Sequence, residues 1–336
     1  MPVRMQQHTL SFLSPLVAAF GLALSACSYS QPVHKEAASK EAPSKEAASE
    51  APVHIHRVTS SPAGILVNAY LVESEHAVVA IDSALTRSDA RALRRRLDAL
   101  QKPLKAVLLT HGHPDHYNGV TELVAHQGDV PVYASAAVEQ VIRSSDAAKE
   151  AQWRPMFGAE WPERRTFPNR TVGDGERVEV DGLVFTLHEI GPGESHADSY
   201  WLLDGAQPNV FVGDVVLHGH HAYVSDGHTS AWLENLGSLR KDLPPTAMLF
   251  PGHGEPGGLA LLDWQQGYLT AYRGEVERLG QGAGHLNQAE EQELTRRMKA
   301  RYPDAGLDFL IALGADAVAA ELAATSAVHS RNSGEQ

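Results

Sequence analysis

The stretch LLTHGHPDHYNG places three histidines and an aspartate within six positions, directly after an apolar run. The pattern H-x-H-x-D-H should occur by chance in only roughly three of 1000 chains of this composition. Histidine nitrogen and carboxylate oxygen are ligands that suit zinc and similar divalent ions. His111 and His113 can point to one side of an extended chain that leaves a strand, and Asp115 and His116 would then turn toward a second position close by. These four side chains predict a metal site at the end of a strand.

Three later residues provide further candidate ligands in similar positions. His196 lies in the loop GPGESHADS, between two predicted strands. Asp214 ends the predicted strand NVFVGD, and His253 follows an apolar strand in FPGHGEP. Every candidate therefore stands at or beyond the end of a strand, where a packed sheet holds loops rigidly enough to preorganise a metal site.

Short apolar runs alternate with helical patterns from Val53 onward. The apolar runs predict strands at 64–72, 77–82, 105–110, 130–134, 176–180, 183–190, 199–204, 209–214 and 247–250. Helical spacing predicts helices at 87–100, 120–127, 135–151 and 230–242. This order predicts an α/β fold in which two sheets pack face to face and helices cover their outer surfaces.

The ligand series resembles that of the metallo-β-lactamase superfamily of hydrolases. The matching residues are, in chain order, Asp82, His111, His113, Asp115, His116, His196, Asp214 and His253. The resemblance covers residues 53–260 and implies the αββα sandwich of that family there. Beyond it, the pattern predicts a helical C-terminal extension at 261–325 and a disordered polar tail at 326–336.

The resemblance also implies two divalent metal ions, with Zn²⁺ expected and Fe or Mn as alternatives. The implied ligands fall into two sets with a shared bridge: His111, His113 and His196 for one ion, Asp115, His116 and His253 for the other, and Asp214 between them. Asp82 would orient the loop and its ligands. Two such ions lower the pKa of a shared water, and the bridging hydroxide would attack an electrophilic carbonyl or phosphorus. Asp115 could also manage a proton as the leaving group departs.

Three features narrow the branch of the superfamily. His113 occupies the position where the flavodiiron oxidoreductases of this fold carry glutamate, which favours hydrolysis. Cys27 is the sole cysteine, so the metal-binding domain offers no thiolate ligand, and Asp214 is typical of the thioesterase, lactonase and phosphodiesterase branches. The leading hypothesis is hydrolysis of an ester-like bond, such as a lactone, a thioester or a β-lactam. The alternatives are a phosphodiester or phosphonate hydrolase on the same site, and a non-catalytic periplasmic metal-binding lipoprotein.

Residues 151–170 are a candidate substrate-binding segment. They bring Trp153, Met156, Phe157 and Trp161 together in a poorly periodic stretch. This stretch is either an apolar lid over the metals or an irregular segment that packs its aromatic side chains onto the sandwich.

Three other residues are candidates for the rim of the active site. His218 belongs to the histidine-rich stretch LHGHHAYVSDGH, which follows Asp214 and is expected to border the metals. Tyr117 and Asn118 flank the metal motif, where they either reach a substrate oxygen or serve at a helix start.

The N-terminus predicts export and a lipid anchor. Residues 1–26 have a sparse positive charge and an apolar stretch that is short for a membrane-spanning helix, which is typical of a signal peptide. Its end, Leu24-Ser25-Ala26-Cys27, resembles the lipobox of bacterial lipoproteins, which implies cleavage before Cys27 and lipidation of its thiol. An ordinary secretory signal is the alternative. Residues 27–52, with their near-repeats of Lys-Glu-Ala-Ala-Ser, predict a spacer, and Ser28 implies sorting to the periplasmic face of the outer membrane.

The charge of the chain narrows the class of partner. A net charge of −13 argues against binding to a nucleic-acid backbone, which would repel the protein. We therefore expect a small-molecule substrate, no nucleic acid, and membrane contact through the lipid anchor only. The sequence predicts no particular oligomeric state.

Overall fold

The computed structural model describes residues 53–333, so the predicted signal peptide, lipidation site and spacer lie outside the described residues. The strands are β1 (His54–Thr59), β2 (Asn68–Glu73), β3 (Val78–Ile81), β4 (Leu104–Leu108), β5 (Val132–Ala134), β6 (Arg170–Thr171), β7 (Arg177–Val180), β8 (Leu183–Gly191), β9 (Asp198–Leu203), β10 (Asn209–Leu217) and β11 (Met248–His253). The helices are α1 (Arg87–Ala99), α2 (Pro114–Tyr117), α3 (Val120–Val124), α4 (Ala136–Phe157), α5 (Thr229–Asp242), α6 (Ala260–Gly280), α7 (Gln288–Arg301), α8 (Phe309–Leu313) and α9 (Ala315–Ser333). Within this part of the chain, no helix has the length and apolar character needed to cross a membrane.

The strands form two sheets. The first sheet has six strands in the order β1-β2-β3-β4-β5-β6, antiparallel from β1 to β3 and parallel from β3 to β6. The second sheet has five strands in the order β11-β10-β9-β8-β7, which are antiparallel except for the parallel pair of β10 and β11.

Alternating side chains explain how the sheets pack. In β2, Tyr70 and Val72 contribute to the core between the two sheets, whereas Ala69 and Leu71 contribute to the core beneath α1, α3 and α4. The outer face of the second sheet is covered by α5, α6, α7, α8 and α9, which share one large apolar core with β10. The predicted αββα layering is therefore confirmed, with the C-terminal helices packed on the second sheet.

Buried hydrogen bonds join the two sheets where the metal motif begins. Trp201 Nε1 donates to the carbonyl oxygen of Leu109 at 2.9 Å. Ser199 donates to the carbonyl oxygen of Thr110 through both its hydroxyl, at 2.6 Å, and its backbone nitrogen, at 3.0 Å. Because these groups are shielded from water, breaking one of the bonds would leave a buried polar atom unpaired. The end of β4 is therefore held firmly against β9.

Two helices differ from the prediction. Helical spacing predicts an end near residue 151, but α4 continues to Phe157, and the helix ends two residues after Pro155, which lacks a backbone N–H. The polar tail from residue 326 is predicted to be disordered, but α9 extends to Ser333. This helix is rich in alanine, the strongest helix former, and its first half is packed in the core of the second sheet.

Candidate metal centre

The metal motif leaves β4 in an extended conformation and then turns sharply. His111 forms an isolated bridge with the second sheet, and His113 is still extended, with φ −89° and ψ 146°. Helix α2 begins directly afterwards at Pro114, a residue whose ring favours the first helical position. This short helix turns Asp115 and His116 back toward the histidines that precede them.

Two further candidate ligands, which lie outside the metal motif, belong to neighbouring parallel strands. Asp214 belongs to β10 and His253 ends β11. Gly252 precedes His253 on β11. A Cβ atom at Gly252 would lie 1.8 Å from Oδ1 of Asp214 and 2.9 Å from Cε1 of His116. Only glycine therefore allows β11 to approach these two side chains so closely.

Four buried side chains form what we call the four-residue group: Asp115, His116, Asp214 and His253, whose ligand atoms lie within 4.8 Å of one another. His116 Nε2 is 3.3 Å from both Asp115 Oδ2 and Asp214 Oδ1. His253 Nε2 is 3.3 Å from Asp115 Oδ2 and 3.4 Å from Asp214 Oδ2. The two imidazoles and two carboxylates thus face one common centre, as the ligands of a single ion do.

Three further buried side chains form the three-residue group: His111, His113 and Glu194, with ligand atoms also within 4.8 Å of one another. Glu194 Oε2 lies 2.8 Å from His113 Nδ1 and 3.4 Å from His111 Nε2. The rings of His111 and His116 are 4.1 Å apart between centroids, so the two groups are adjacent.

The donor atoms of both groups fit a pair of metal ions. Buried polar atoms nearly always have a hydrogen-bond partner. Here, however, several of these atoms are buried and form no bond of hydrogen-bond geometry, even where another donor atom of the two groups lies close by: Nε2 of His111, Nε2 of His116, both carboxylate oxygens of Glu194 and Oδ1 of Asp214. Nitrogen and oxygen donors that converge in this way are the arrangement a divalent ion such as Zn²⁺ requires.

His196, which the resemblance implied as a ligand, does not join either group. Its side chain is 57% exposed, and its Nδ1 lies 2.6 Å from His228 Nε2. Glu194, two residues earlier, occupies the place beside His111 and His113. The expectation for His196 therefore does not agree with the structure.

The loop before β9 explains this exchange. The carboxylate of Asp198 accepts hydrogen bonds from the backbone nitrogens of Glu194, at 2.7 Å, and Ser195, at 3.2 Å, and from the Ser195 hydroxyl at 2.5 Å. This tight turn points Glu194 inward and carries His196 to the outside. Burial raises the pKa of Asp198 to about 6. Glutamate can also bind metal ions, so the presence of Glu194 in this loop was the feature of the sequence from which it could have been predicted as a candidate ligand.

Asp82 lies where the resemblance implied, behind the ligands. Its Oδ2 is 2.9 Å from Nδ1 of His116, and its carboxylate accepts from the backbone nitrogen and the hydroxyl of Thr110 at 2.9 and 2.8 Å. The backbone of Asp82 has a φ of 58°, a conformation rarely adopted by residues other than glycine, asparagine and aspartate. The carboxylate thus fixes the ring of His116 and the start of the metal motif together.

A second carboxylate, that of Asp226, supports the three-residue group and was not predicted. Its Oδ2 is 3.2 Å from Nε2 of His113, while the Tyr223 hydroxyl donates to its Oδ1 at 3.3 Å. Lys149 Nζ lies 3.8 Å from the same Oδ1. Asp226 therefore leaves Nδ1 of His113 directed toward Glu194. Sequence spacing gives no signal for a pair formed between residues 113 positions apart.

The groups strongly perturb one another's pKa. Burial alone would lower the pKa of His116 and of His253, but Asp115 and Asp214 outweigh it, so the pKa of His116 lies well above its usual value and that of His253 rises to about 9. Burial would raise the pKa of Asp214, but His253 and His116 hold it below its usual range. Burial raises the pKa of Glu194 to about 8. Because metal ligands must be deprotonated, ions that bind here would displace protons.

A cavity of about 620 Å³ opens onto both groups. The ligands that line it are His113, Asp115, Glu194, Asp214 and His253. Its other walls are mainly apolar and include Pro62, Ala63, Ile65, Leu85, Trp153, Met156, Phe157, Leu217, Tyr223, Leu307, Phe309 and Leu310. This combination of apolar walls and a few polar groups is typical of a small-molecule site.

The predicted lid segment lines this cavity only in part. Trp153, Met156 and Phe157, at the end of α4, lie in its wall. Trp161 does not, because its side chain is buried in the protein with its ring 6.2 Å from that of Phe157. The segment thus contributes side chains both to the cavity wall and to the packed interior, and its role as a lid over the metals stays a prediction.

The three residues predicted at the rim lie outside the cavity wall. Tyr117 is fully buried and donates its hydroxyl to Asp146 at 2.9 Å. Asn118 is also buried, and its side-chain nitrogen donates to the carbonyl oxygen of Leu85 at 3.4 Å. His218 packs edge-on against Trp264, with 6.0 Å between the ring centroids. Their expected contacts with substrate are not supported by this geometry, since α2 and the residue that follows it direct Tyr117 and Asn118 into the protein interior.

The C-terminal helices reach the cavity through a backbone bridge. The backbone nitrogen of Gly306 donates to the carbonyl oxygen of Gly219 at 3.0 Å, and the nitrogen of His221 donates to the carbonyl oxygen of Gly306 at 2.9 Å. These bonds fasten the turn between α7 and α8 to the loop that follows β10. Helix α8 then contributes Phe309 and Leu310 to the cavity wall.

The sequence model of the Metallo-beta-lactamase superfamily matches residues 63–253 of this chain. The match includes every residue of the three-residue and four-residue groups.

The individual proteins that this chain resembles have low sequence identity to it. The chain is 26% identical over 184 residues to hydroxyacylglutathione hydrolase of Prochlorococcus marinus (strain MIT 9312), which covers 55% of this chain and 63% of that protein. It is 22% identical over 210 residues to metallo-beta-lactamase type 2 of Bacteroides fragilis, covering 61% and 76% of the two chains. A solved metallo-beta-lactamase family protein from Thermus thermophilus shares the fold with a TM-score of 0.60 and 22% identity, over 81% of this chain and 94% of that one. The chain spans only 54% to 63% of the length of the first hydroxyacylglutathione hydrolases it matches.

Proposed function

The chain belongs to the metallo-β-lactamase superfamily of hydrolases, and on that premise we propose that it cleaves an ester-like bond with the help of two divalent metal ions, Zn²⁺ being the expected species. The observation that carries the proposal is the pair of adjacent ligand groups that open onto one cavity. A storage or scaffold protein would have no need for a cavity of substrate size above its metal ligands.

Each of the two groups would hold one of the two metal ions. His111, His113 and Glu194 would hold one ion, a set of two histidines and one carboxylate that is known for catalytic zinc. The four-residue group would hold the other. Bound there, the two ions would supply a water of lowered pKa as the nucleophile and would stabilise the negative charge that develops on the substrate oxygen.

The residues of the chain orient the reacting groups. Asp82 holds His116 by its Nδ1 and Asp226 holds His113 by its Nε2, so that each ring keeps its other nitrogen directed to the centre. Asp115 lines the cavity, with Oδ2 within 3.3 Å of His116 and His253. We assign to the carboxylate of Asp115 the transfer of a proton from the attacking water to the leaving group. The apolar walls would exclude bulk water from this step.

A thioester is the bond we favour. The relatives named hydroxyacylglutathione hydrolase support this choice, and a lactone or a β-lactam offers the same acyl carbonyl to the same nucleophile. In the reaction, water adds to the acyl carbon, the carbon–sulfur bond breaks, and the thiol leaves with one proton.

The proposal includes export and anchoring through Cys27. It is supported by the sequence Leu24-Ser25-Ala26-Cys27 at the end of an apolar segment. Labelling of cells with a tagged fatty acid should mark the full chain but not a Cys27→Ser variant. Equal labelling of both would remove the lipid anchor from the proposal.

The test of catalysis is hydrolysis by the purified full chain of four compounds: a thioester, a lactone, a cephalosporin and a phosphodiester. We expect turnover of the thioester or the lactone, loss of turnover after chelation, and recovery when Zn²⁺ is restored. Turnover that survives complete metal removal, or no turnover of any compound by protein that holds about two ions per chain, would contradict the proposal.

A further inference from the structure

We propose that the substrate carries an uncharged aliphatic or aromatic acyl group, and that this group binds between the end of α4 and helix α8. The inference rests on the proposed function, because it concerns the same cavity and the same bond. It adds a substrate class, since it requires an apolar group next to the reacting carbonyl.

Two apolar walls face the cavity above the ligands. One consists of Trp153, Met156 and Phe157, at the end of α4. The other consists of Leu307, which precedes α8, and of Phe309 and Leu310 at the start of α8. Neither wall belongs to a strand or to the metal motif. Because the same cavity is lined by Asp115, Glu194 and Asp214, a carbonyl placed at these ligands would have its substituent directed along apolar side chains.

Solvent exposure at the mouth of the cavity points to an apolar occupant. Among the residues that the structure describes, the exposed large apolar side chains are Val53, Met156, Phe309 and Leu313. Met156 is 67% exposed and Phe309 is 48% exposed, and both line the cavity. When an apolar ligand covers large apolar side chains that are exposed to water next to a cavity, the free energy of the complex is lowered.

Two wall residues are also held in an unusual backbone conformation. Ile65 has a φ of 59° and Leu307 has a φ of 64°, and both line the cavity. The left-handed region is strongly disfavoured for a β-branched residue such as isoleucine. Strain of this kind is concentrated at functional sites, where the surrounding structure holds it in place. It therefore supports a binding role for this apolar wall.

The charges around the cavity do not suit an anionic substrate body. Apart from the candidate ligands, the charged residues in the described wall are Lys149 and Glu160. Lys149 already donates to the Tyr223 hydroxyl at 3.1 Å, and Glu160 accepts from the backbone and the hydroxyl of Ser88 at 2.8 and 2.9 Å. The charge of Lys149 is offset by Asp226, whose Oδ1 lies 3.8 Å from Nζ. The carboxylate of Glu160 would repel an anion, so the surface that remains for the substrate is apolar.

The experiment measures kcat/KM of the metal-loaded full chain for N-acetylcysteamine thioesters, whose thiol part is neutral and constant. The acyl groups are acetyl, butanoyl and hexanoyl. Each buried methylene should raise kcat/KM by about fourfold, so that hexanoyl exceeds acetyl by the order of 100-fold. Phe309→Ser should reduce this hexanoyl-to-acetyl ratio by about tenfold.

Leu313→Ser provides the matched control, because Leu313 is exposed on the same helix and is not in the cavity wall. It should leave the ratio unchanged. Binding of free hexanoate, followed by calorimetry, should be at least about tenfold tighter than binding of acetate and should weaken in Phe309→Ser.

The outcomes separate the two proposals. A flat acyl series, or equal effects of Phe309→Ser and Leu313→Ser, would overturn the apolar acyl site and leave the hydrolase standing. No hydrolysis of any thioester, together with selective binding of hexanoate, would overturn thioester hydrolysis and support the apolar site. Absence of both would overturn both.

Discussion

Glu194 Oε2 lies 2.8 Å from Nδ1 of His113, and both side chains are buried at the base of a cavity. With Asp115 and Asp214, Glu194 brings a third carboxylate to the metal centre. If two divalent ions bind here as proposed, a third negative charge would neutralise more of their charge than an imidazole would, and it would make the three-residue group more favourable to hard ions such as Mn²⁺ or Fe²⁺.

Substitution of Glu194 should remove one metal ion. Glu194→Ala leaves the three-residue group with two imidazoles, so we expect bound metal to fall from about two ions to about one per chain, measured by elemental analysis after dialysis. His196→Ala is the matched control two residues away on the same loop, and it should retain both ions. Loss of an ion in His196→Ala alone would show that the histidine turns inward when metal binds.

Asp82 should tune metal affinity without touching the metal. Removing its carboxylate in Asp82→Ala frees the ring of His116 and the hydroxyl of Thr110, so affinity should fall by about 10- to 100-fold in competition with a chromophoric chelator. Asp82→Asn keeps an acceptor and tolerates the positive φ of 58°, so its loss should be smaller. Equal affinities in all three proteins would exclude a positioning role for Asp82.

Gly252 should be intolerant of any side chain. In Gly252→Ala the added methyl would collide with Asp214, so we expect weaker metal binding while the circular dichroism of the fold is retained. Gly237→Ala, in the middle of α5 with open space at its Cβ position, should instead raise the free energy of unfolding by up to about 1 kcal/mol. If Gly252→Ala binds metal normally, the close approach of β11 to Asp214 is not required.

Glu321 should make stability depend on pH. This half-buried carboxylate accepts from the backbone nitrogens of Thr229 and Ser230, at 3.0 and 2.7 Å, and lies 3.2 Å from Arg273. Burial would raise its pKa, but these partners outweigh it and hold the pKa below its usual value. A lowered folded-state pKa means that the stabilisation is present above the pKa of the unfolded chain and is lost as the pH falls through the folded value.

Glu321→Gln should therefore be less stable than the parent protein by about 1–2 kcal/mol at pH 7, and the difference should shrink as the pH falls below about 4. Urea unfolding at a series of pH values measures it. Glu234→Gln, at an exposed position on α5, serves as the comparison and should show no such trend. A pH-independent difference for Glu321→Gln would indicate lost packing rather than lost charge.

The layers of the fold could be predicted, as could six of the seven candidate ligands that the structure brings together, because each depends on local pattern. Apolar alternation marks the buried strands, and ligand-type residues that follow them mark the site. Strand β1 was not predicted, because the histidines and the arginine in this strand interrupt any alternation of apolar and polar residues. Nor was the exchange of His196 for Glu194, which depends on how Asp198 closes the loop. Contacts such as that of Asp226 with His113 arise only when distant segments meet.

The backbone bridge at Gly306 has a consequence for how this protein can change over evolution. The bridge uses main-chain atoms, so it persists whatever side chains follow it in α8. Phe309 and Leu310, which line the cavity, can therefore be replaced without altering these main-chain bonds to the loop after β10. Recognition of the acyl group and cleavage of the bond are encoded in separate segments of the chain, and selection can act on one while the other is conserved.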